Sequence, residues 1–201
     1  MTDDTKHPII CTYKNTISEK FPLILVVGRE SNSDEEYGHH IGFYDFSQFF
    51  AGGFWNSAYS VITTNSNVKN MQFKELCKTA NSSPIIFANL SASPILNEVQ
   101  NKRLIRKNIA PSDLEKHIKD IFSKKIMSRV RLIFISGAQS NEFEESLKLF
   151  IKNAQSRRLS FVEVPFFFGR NFKKIQTSLS KGNIELINSI IVDWKEYSTR
   201  K

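Results

Sequence analysis

Four short apolar runs recur along the chain: PLILVVG at 22–28, PIIFANL at 84–90, VRLIFIS at 130–136 and FVEVPFF at 161–167. Each is rich in Val, Ile, Leu and Phe without polar alternation and is too short for a free-standing helix, which is the pattern of a strand buried on both faces. Between them stand stretches with helical spacing of apolar residues: FSQFFAGGFWNSAYSVI, KNMQFKELCKTA, SDLEKHIKDIFSKKIM and NEFEESLKLFIKNA. Two more, NFKKIQTSL and IELINSIIVDWKEY, follow the last run. Ser112 and Glu115 have the spacing of a capping box and predict a helix start there. This alternation predicts an α/β fold with a mostly parallel central sheet of about four strands, covered on both faces and joined by right-handed crossovers. Residues 1–20 read as an N-terminal extension and residues 21–201 as a single α/β domain.

In such sheets ligands meet the loops beyond the carboxyl ends of the strands. The first strand delivers Gly28-Arg29-Glu30-Ser31-Asn32, the second Asn89 within IFANLSASP, the third ISGAQS, and the fourth Pro165 to Arg170. A carboxylate, a carboxamide, a small-residue turn and an aromatic-basic loop would then border one pocket. Each has a plainer rival. Glu30 would serve equally as an acceptor of backbone hydrogen bonds, Asn89 as a helix cap, and Phe166 to Phe168 as a buried strand end. Phe54 and Trp55 fall in an amphipathic pattern and read as core. His39 and His40 lack partners at ligand spacing and read as loop residues rather than metal ligands.

Composition narrows the class. The chain has 201 residues and 23.1 kDa, enough for one sizeable core, with 17 Phe among its aromatics. Its net charge of +8 is uneven: residues 1–60 carry −4 and residues 61–201 carry +12. The densest basic run is NKRLIRKN at 101–108. A field of this kind attracts polyanions, nucleic acid above all, although a solvated surface has the same composition. Cys11 and Cys77 stand far apart without ligand-spaced companions, so both read as ordinary thiols. No apolar run approaches the roughly 20 residues of a membrane span, and the start lacks the order of a signal peptide. A cytoplasmic monomer is expected.

The segments VVGRESN, Gly53-Phe54-Trp55-Asn56, FANLS, SGAQS and VPFFFGRN follow one another in an order that resembles the uracil-DNA glycosylase superfamily, most nearly its mismatch-specific uracil/thymine branch. The resemblance spans residues 22–175. It implies a three-layer α/β/α sandwich and an enzyme that cuts the bond between a damaged base and deoxyribose, acting on a base flipped out of the stack. It implies that Glu30, with Asn32 in the same loop, stabilises an oxocarbenium-like sugar and orients or deprotonates water. Asn89 would read the base with one donor and one acceptor, and Phe43 or Tyr44 would stack on the extruded ring. Phe167, Phe168, Gly169 and Arg170, with Asn171 and Lys173 after them, would fill the vacated stack and grip phosphate.

The chain departs from that family at Ser31, where Pro is usual, at Arg29, where Gln, Glu or Ile is frequent, and in a last loop without His. Two other classes use the same residues. One is a nucleic-acid-binding protein of this fold without the chemistry; the other is a nucleotide-binding α/β protein in which Glu30 meets a ribose. The favoured chemistry needs neither a metal nor an organic cofactor, and the expected partner is DNA, single-stranded or mismatched, with no membrane.

Overall fold

A computed structural model describes residues 8–29, 38–43, 53–64, 70–91, 95–100, 103–106, 110–137, 143–167 and 171–200. Among them run strands β1 (Ile10–Thr12), β2 (Leu23–Gly28), β3 (Ile41–Phe43), β4 (Ile85–Asn89), β5 (Ile95–Gln100), β6 (Arg103–Arg106), β7 (Val130–Ser136) and β8 (Ser160–Val164). The helices are α1 (Gly53–Thr64), α2 (Asn70–Ala80), α3 (Pro111–Ser123), α4 (Glu144–Ser156), α5 (Phe172–Ser178) and α6 (Lys181–Thr199), with 3-10 turns at Lys14–Ile17 and Lys125–Arg129. No described helix is long and apolar enough to cross a membrane.

The main sheet has six strands in the order β3-β1-β4-β2-β7-β8. β4, β2, β7 and β8 are mutually parallel, and β1 runs antiparallel to β4 while pairing in parallel with β3. All six residues of β2 are buried, because it pairs on both edges, with β4 and with β7. β8 is an edge strand; Ser160 and Glu163 are exposed, and it ends at Val164, where Pro165 has no N–H to continue the ladder. The fourth apolar run is therefore a shorter and half-exposed strand, not one buried throughout.

From β2 the chain passes to β4 on one side and then back across to β7 on the other. Right-handed crossovers in opposite directions put the intervening helices on opposite faces. Side-chain packing agrees. Tyr59 of α1 meets Phe73 of α2 at 5.7 Å between centroids, and Phe73 meets Trp194 of α6 at 5.0 Å. A second group of rings pairs Phe122 of α3 with Phe150 of α4 at 4.8 Å. Trp194 is fully buried and its Nε1 donates to Ser82 Oγ at 3.0 Å, so the indole's polar atom is satisfied inside the core.

Three expectations are corrected. The sheet has six strands instead of about four; β1 and β3 are three residues each, too short to show periodicity. Residues 8–20 are not an extension: Ile9, Ile10 and Tyr13 belong to the core. Thr16 Oγ1 donates to Ser83 O and accepts from Ser83 N, and the Arg129 guanidinium donates to Thr16 O and Phe21 O. The capping box does not form. Pro111 takes the first helical position with Ala110 as N-cap and no side-chain cap bond, so Ser112 falls inside the first turn; Glu115 pairs with Lys119 at 2.6 Å. The basic run at 101–108 contributes β6, which pairs antiparallel with β5 in a hairpin inserted between β4 and α3.

Candidate functional site

The order reversal at β2 and β7 is a topological switch point, the place where open α/β sheets leave a crevice beyond the strands' carboxyl ends. Gly28 pairs with Asn89 in the ladder. The pairing continues one residue further: Leu90 N donates to Gly28 O at 2.9 Å and Ser91 N donates to Arg29 O at 2.7 Å. The backbone is thus held up to the residue before Glu30.

Asn89 is buried, and its carboxamide lies over Gly28. A Cβ at position 28 would stand 2.7 Å from Asn89 Oδ1 and 3.4 Å from the Phe54 ring, so only glycine leaves the carboxamide room. Phe54, at the start of α1, packs against Phe166 at 5.2 Å and Phe167 at 5.6 Å between centroids. The Arg29 guanidinium stands over the Phe166 ring at 4.9 Å and near the Phe143 ring at 5.7 Å, both within cation–π range.

The described start of the loop after β8, residues 165–167, is tied down by hydrogen bonds. Gly137 N donates to Val164 O at 2.9 Å, Phe167 N donates to Ser136 Oγ at 3.1 Å, and Asn171 Nδ2 donates to Phe166 O at 2.8 Å. Gly137 has φ +68°, and a Cβ there would meet the Phe166 ring at 2.7 Å. A left-handed glycine is therefore what admits Phe166 beside Arg29.

Behind the rim, His117 of α3 is buried and its Nε2 lies 3.0 Å from Asn89 O, so the neutral ring donates from Nε2 to that carbonyl. Burial pushes the His117 pKa down, against the opposing pull of the Asn89 carbonyl and the Asp120 charge. Asp120 lies 2.5 Å from His39 Nδ1 and 2.7 Å from Lys124 Nζ. Burial acts to raise the Asp120 carboxyl, but its bonds to Lys124 and His39 prevail and hold it below the usual carboxylate range. His39 is thus a hydrogen-bond partner of Asp120 at the surface. Among the described residues no group of three His, Cys, Asp or Glu side chains is placed to hold a metal ion. Both cysteines are free, and burial pushes their thiols up, away from reactive thiolate.

The sequence-predicted residues fare differently. Asn89 lies on the rim beside Gly28 and Arg29, and Asn171 anchors the loop after β8 through Phe166. Lys173 is exposed on α5. Phe167 is fully buried, packed on Phe54 and Phe134, so it is a core residue and not a free wedge. Phe43 is 56% exposed on β3. That strand is two spacings, about 10 Å, from β4 and runs away from the rim, so Phe43 is not brought to Asn89. Glu30, Asn32, Tyr44, Phe168, Gly169 and Arg170 lie outside the described residues.

Three contributors went unread in the sequence: the stacked Arg29, the Phe54–Phe166 contact, and His117. Only the last left a local signal, since Leu114, His117, Ile118, Ile121 and Phe122 share the buried face of α3 at helical spacing. A groove of about 420 Å³ lined by Gln72, Glu75, Leu76, Thr79 and Lys195 shares no residue with this rim. Compared with models of known families, with curated proteins and with solved structures, the chain matches none.

Proposed function

We propose that the chain is a DNA glycosylase-like hydrolase of the uracil-DNA glycosylase type, cleaving the N-glycosidic bond of a damaged or mismatched base flipped out of DNA. One observation carries the reading: the Asn89 carboxamide lies across Gly28 at the switch point, two residues before Glu30. A carboxamide offers a donor and an acceptor to a pyrimidine edge. Glu30, two residues on from Gly28 in the chain, would supply the carboxylate the chemistry also needs, because the breaking bond leaves positive charge on the sugar and requires a positioned water. The +12 charge of residues 61–201 favours encounter with a polyanion, and the β5–β6 hairpin is the next element after β4 in the chain.

The test is base release. Oligonucleotides carrying uracil, hypoxanthine, xanthine or mismatched thymine are incubated with the protein and scored for alkali-labile abasic sites. Release from at least one is expected. Glu30→Gln is expected to lose on the order of 100-fold or more in rate while DNA affinity stays within about twofold. Equal rates in that variant would remove Glu30 from the mechanism, and DNA binding without release from any substrate would select the non-catalytic reading.

A further inference from the structure

We propose that Arg29 binds the phosphate group of a nucleotide at the carboxyl end of β2. The proposal rests on reading this rim as a nucleotide site, and it does not require that the base be released.

Arg29 is partly buried, and two rings, Phe166 at 4.9 Å and Phe143 at 5.7 Å, hold its guanidinium. Among the described residues its side chain has no hydrogen-bond acceptor and no ion-pair partner. A guanidinium carries five N–H donors in a planar fork. Contacts with ring faces leave those donors unused and open to an acceptor that arrives. A side chain so placed is built for a ligand with paired anionic oxygens, and phosphate matches the fork in a bidentate way.

The support behind the guanidinium is rigid. Phe166 is fixed through its carbonyl by Asn171 and fits only because Gly137 has no Cβ. Phe166 also packs on Phe54, whose ring lies 3.4 Å from where a Cβ on Gly28 would stand. Asn89, Phe54, Phe166 and Arg29 therefore stand in one row of neighbouring side chains, with a carboxamide at one end and a guanidinium at the other. Preorganisation of this kind lowers the ordering cost of binding. The phosphate has two possible sources, the diester of a DNA strand or the monoester of a free nucleotide.

The experiment compares wild type, Arg29→Lys and Arg29→Gln against three probes: a single strand of about ten nucleotides, deoxyuridine 5′-monophosphate, and deoxyuridine. The phosphate-bearing probes are expected to lose about 10- to 100-fold in affinity in Arg29→Gln and somewhat less in Arg29→Lys, which keeps the charge but not the fork. Deoxyuridine should bind all three proteins alike. For the strand, the slope of log affinity against log salt should shrink by about one phosphate. A loss confined to the strand assigns the diester, and one confined to the monophosphate assigns the monoester; either supports the proposal. Unchanged affinity of both phosphate probes in Arg29→Gln overturns it. So does an equal loss of deoxyuridine, or no binding of either phosphate probe by the wild type. If Arg29→Gln shows no cooperative thermal transition, folded Arg29→Lys carries the same comparison, and equal affinities there overturn the proposal. Phosphate binding that depends on Arg29 without base release would end the hydrolase reading alone. Base release with affinity indifferent to Arg29 would end this proposal alone.

Discussion

Gly137 shows how much a single residue decides here. Its φ of +68° is strained for any residue with a side chain, and a Cβ would enter the Phe166 ring at 2.7 Å. Gly137→Ala should therefore cost about 1–3 kcal/mol of stability, read as a lower urea midpoint at unchanged slope. Gly28 serves differently: it keeps space for the Asn89 carboxamide. The small-residue turn ISGAQS and the amide at the end of the second apolar run were readable because both interrupt strongly apolar segments. Arg29 was visible only as a charge in a polar loop. Its stacking partners, Phe143 and Phe166, stand more than a hundred residues along the chain, and no local pattern couples them.

At the scale of elements, the parallel strands β2, β4 and β7 and the amphipathic helices announced themselves by period and by unbroken apolar runs. The edges did not. β1 joins the sheet through two register pairs with β4, and it brings Ile9, Ile10 and Tyr13 into the core. Each such side chain contributes about 1.5–3 kcal/mol by burial, and together they approach the roughly 5–15 kcal/mol that holds a domain folded. Deleting residues 1–17 should abolish the cooperative thermal transition followed by circular dichroism. A transition within a few degrees of the full chain's would show instead that the strand is dispensable. The β5–β6 hairpin escaped notice for another reason: NKRLIRKN reads first as charge, and a hairpin outside the main sheet needs no continuous apolar run.

The whole molecule joins the rim to its interior through His117. The unfolded chain carries this histidine near its ordinary pKa of 6.5, whereas the folded ring is held lower by burial. As pH falls through about 6.5 the unfolded state takes up a proton that the folded state refuses, so stability is complete above that range and declines below it. His117→Gln retains a donor for the Asn89 carbonyl without titrating. Its melting temperature should fall less than that of the wild type between about pH 7 and about pH 5; parallel curves would remove His117 as the source. The Asp120 carboxyl acts in a separate window. Its folded pKa is depressed below 3.8, so the stability it contributes is present above that value and is lost in stronger acid.

The amino-acid sequence alone determined the class of fold, α/β with a mostly parallel sheet. Buried parallel strands must be continuously apolar, helices over them must be amphipathic, and loops at the strands' carboxyl ends are where polar residues can gather without disturbing the core. What only the tertiary structure decided was who meets whom: that Asn89 lies over Gly28, that Arg29 stands between two distant phenylalanines, that Phe167 faces inward, and that Phe43 sits on a far edge. These depend on strand order and on the register between segments far apart in sequence. The energy that sets them is spread over the whole core and leaves no periodicity in any one stretch of chain.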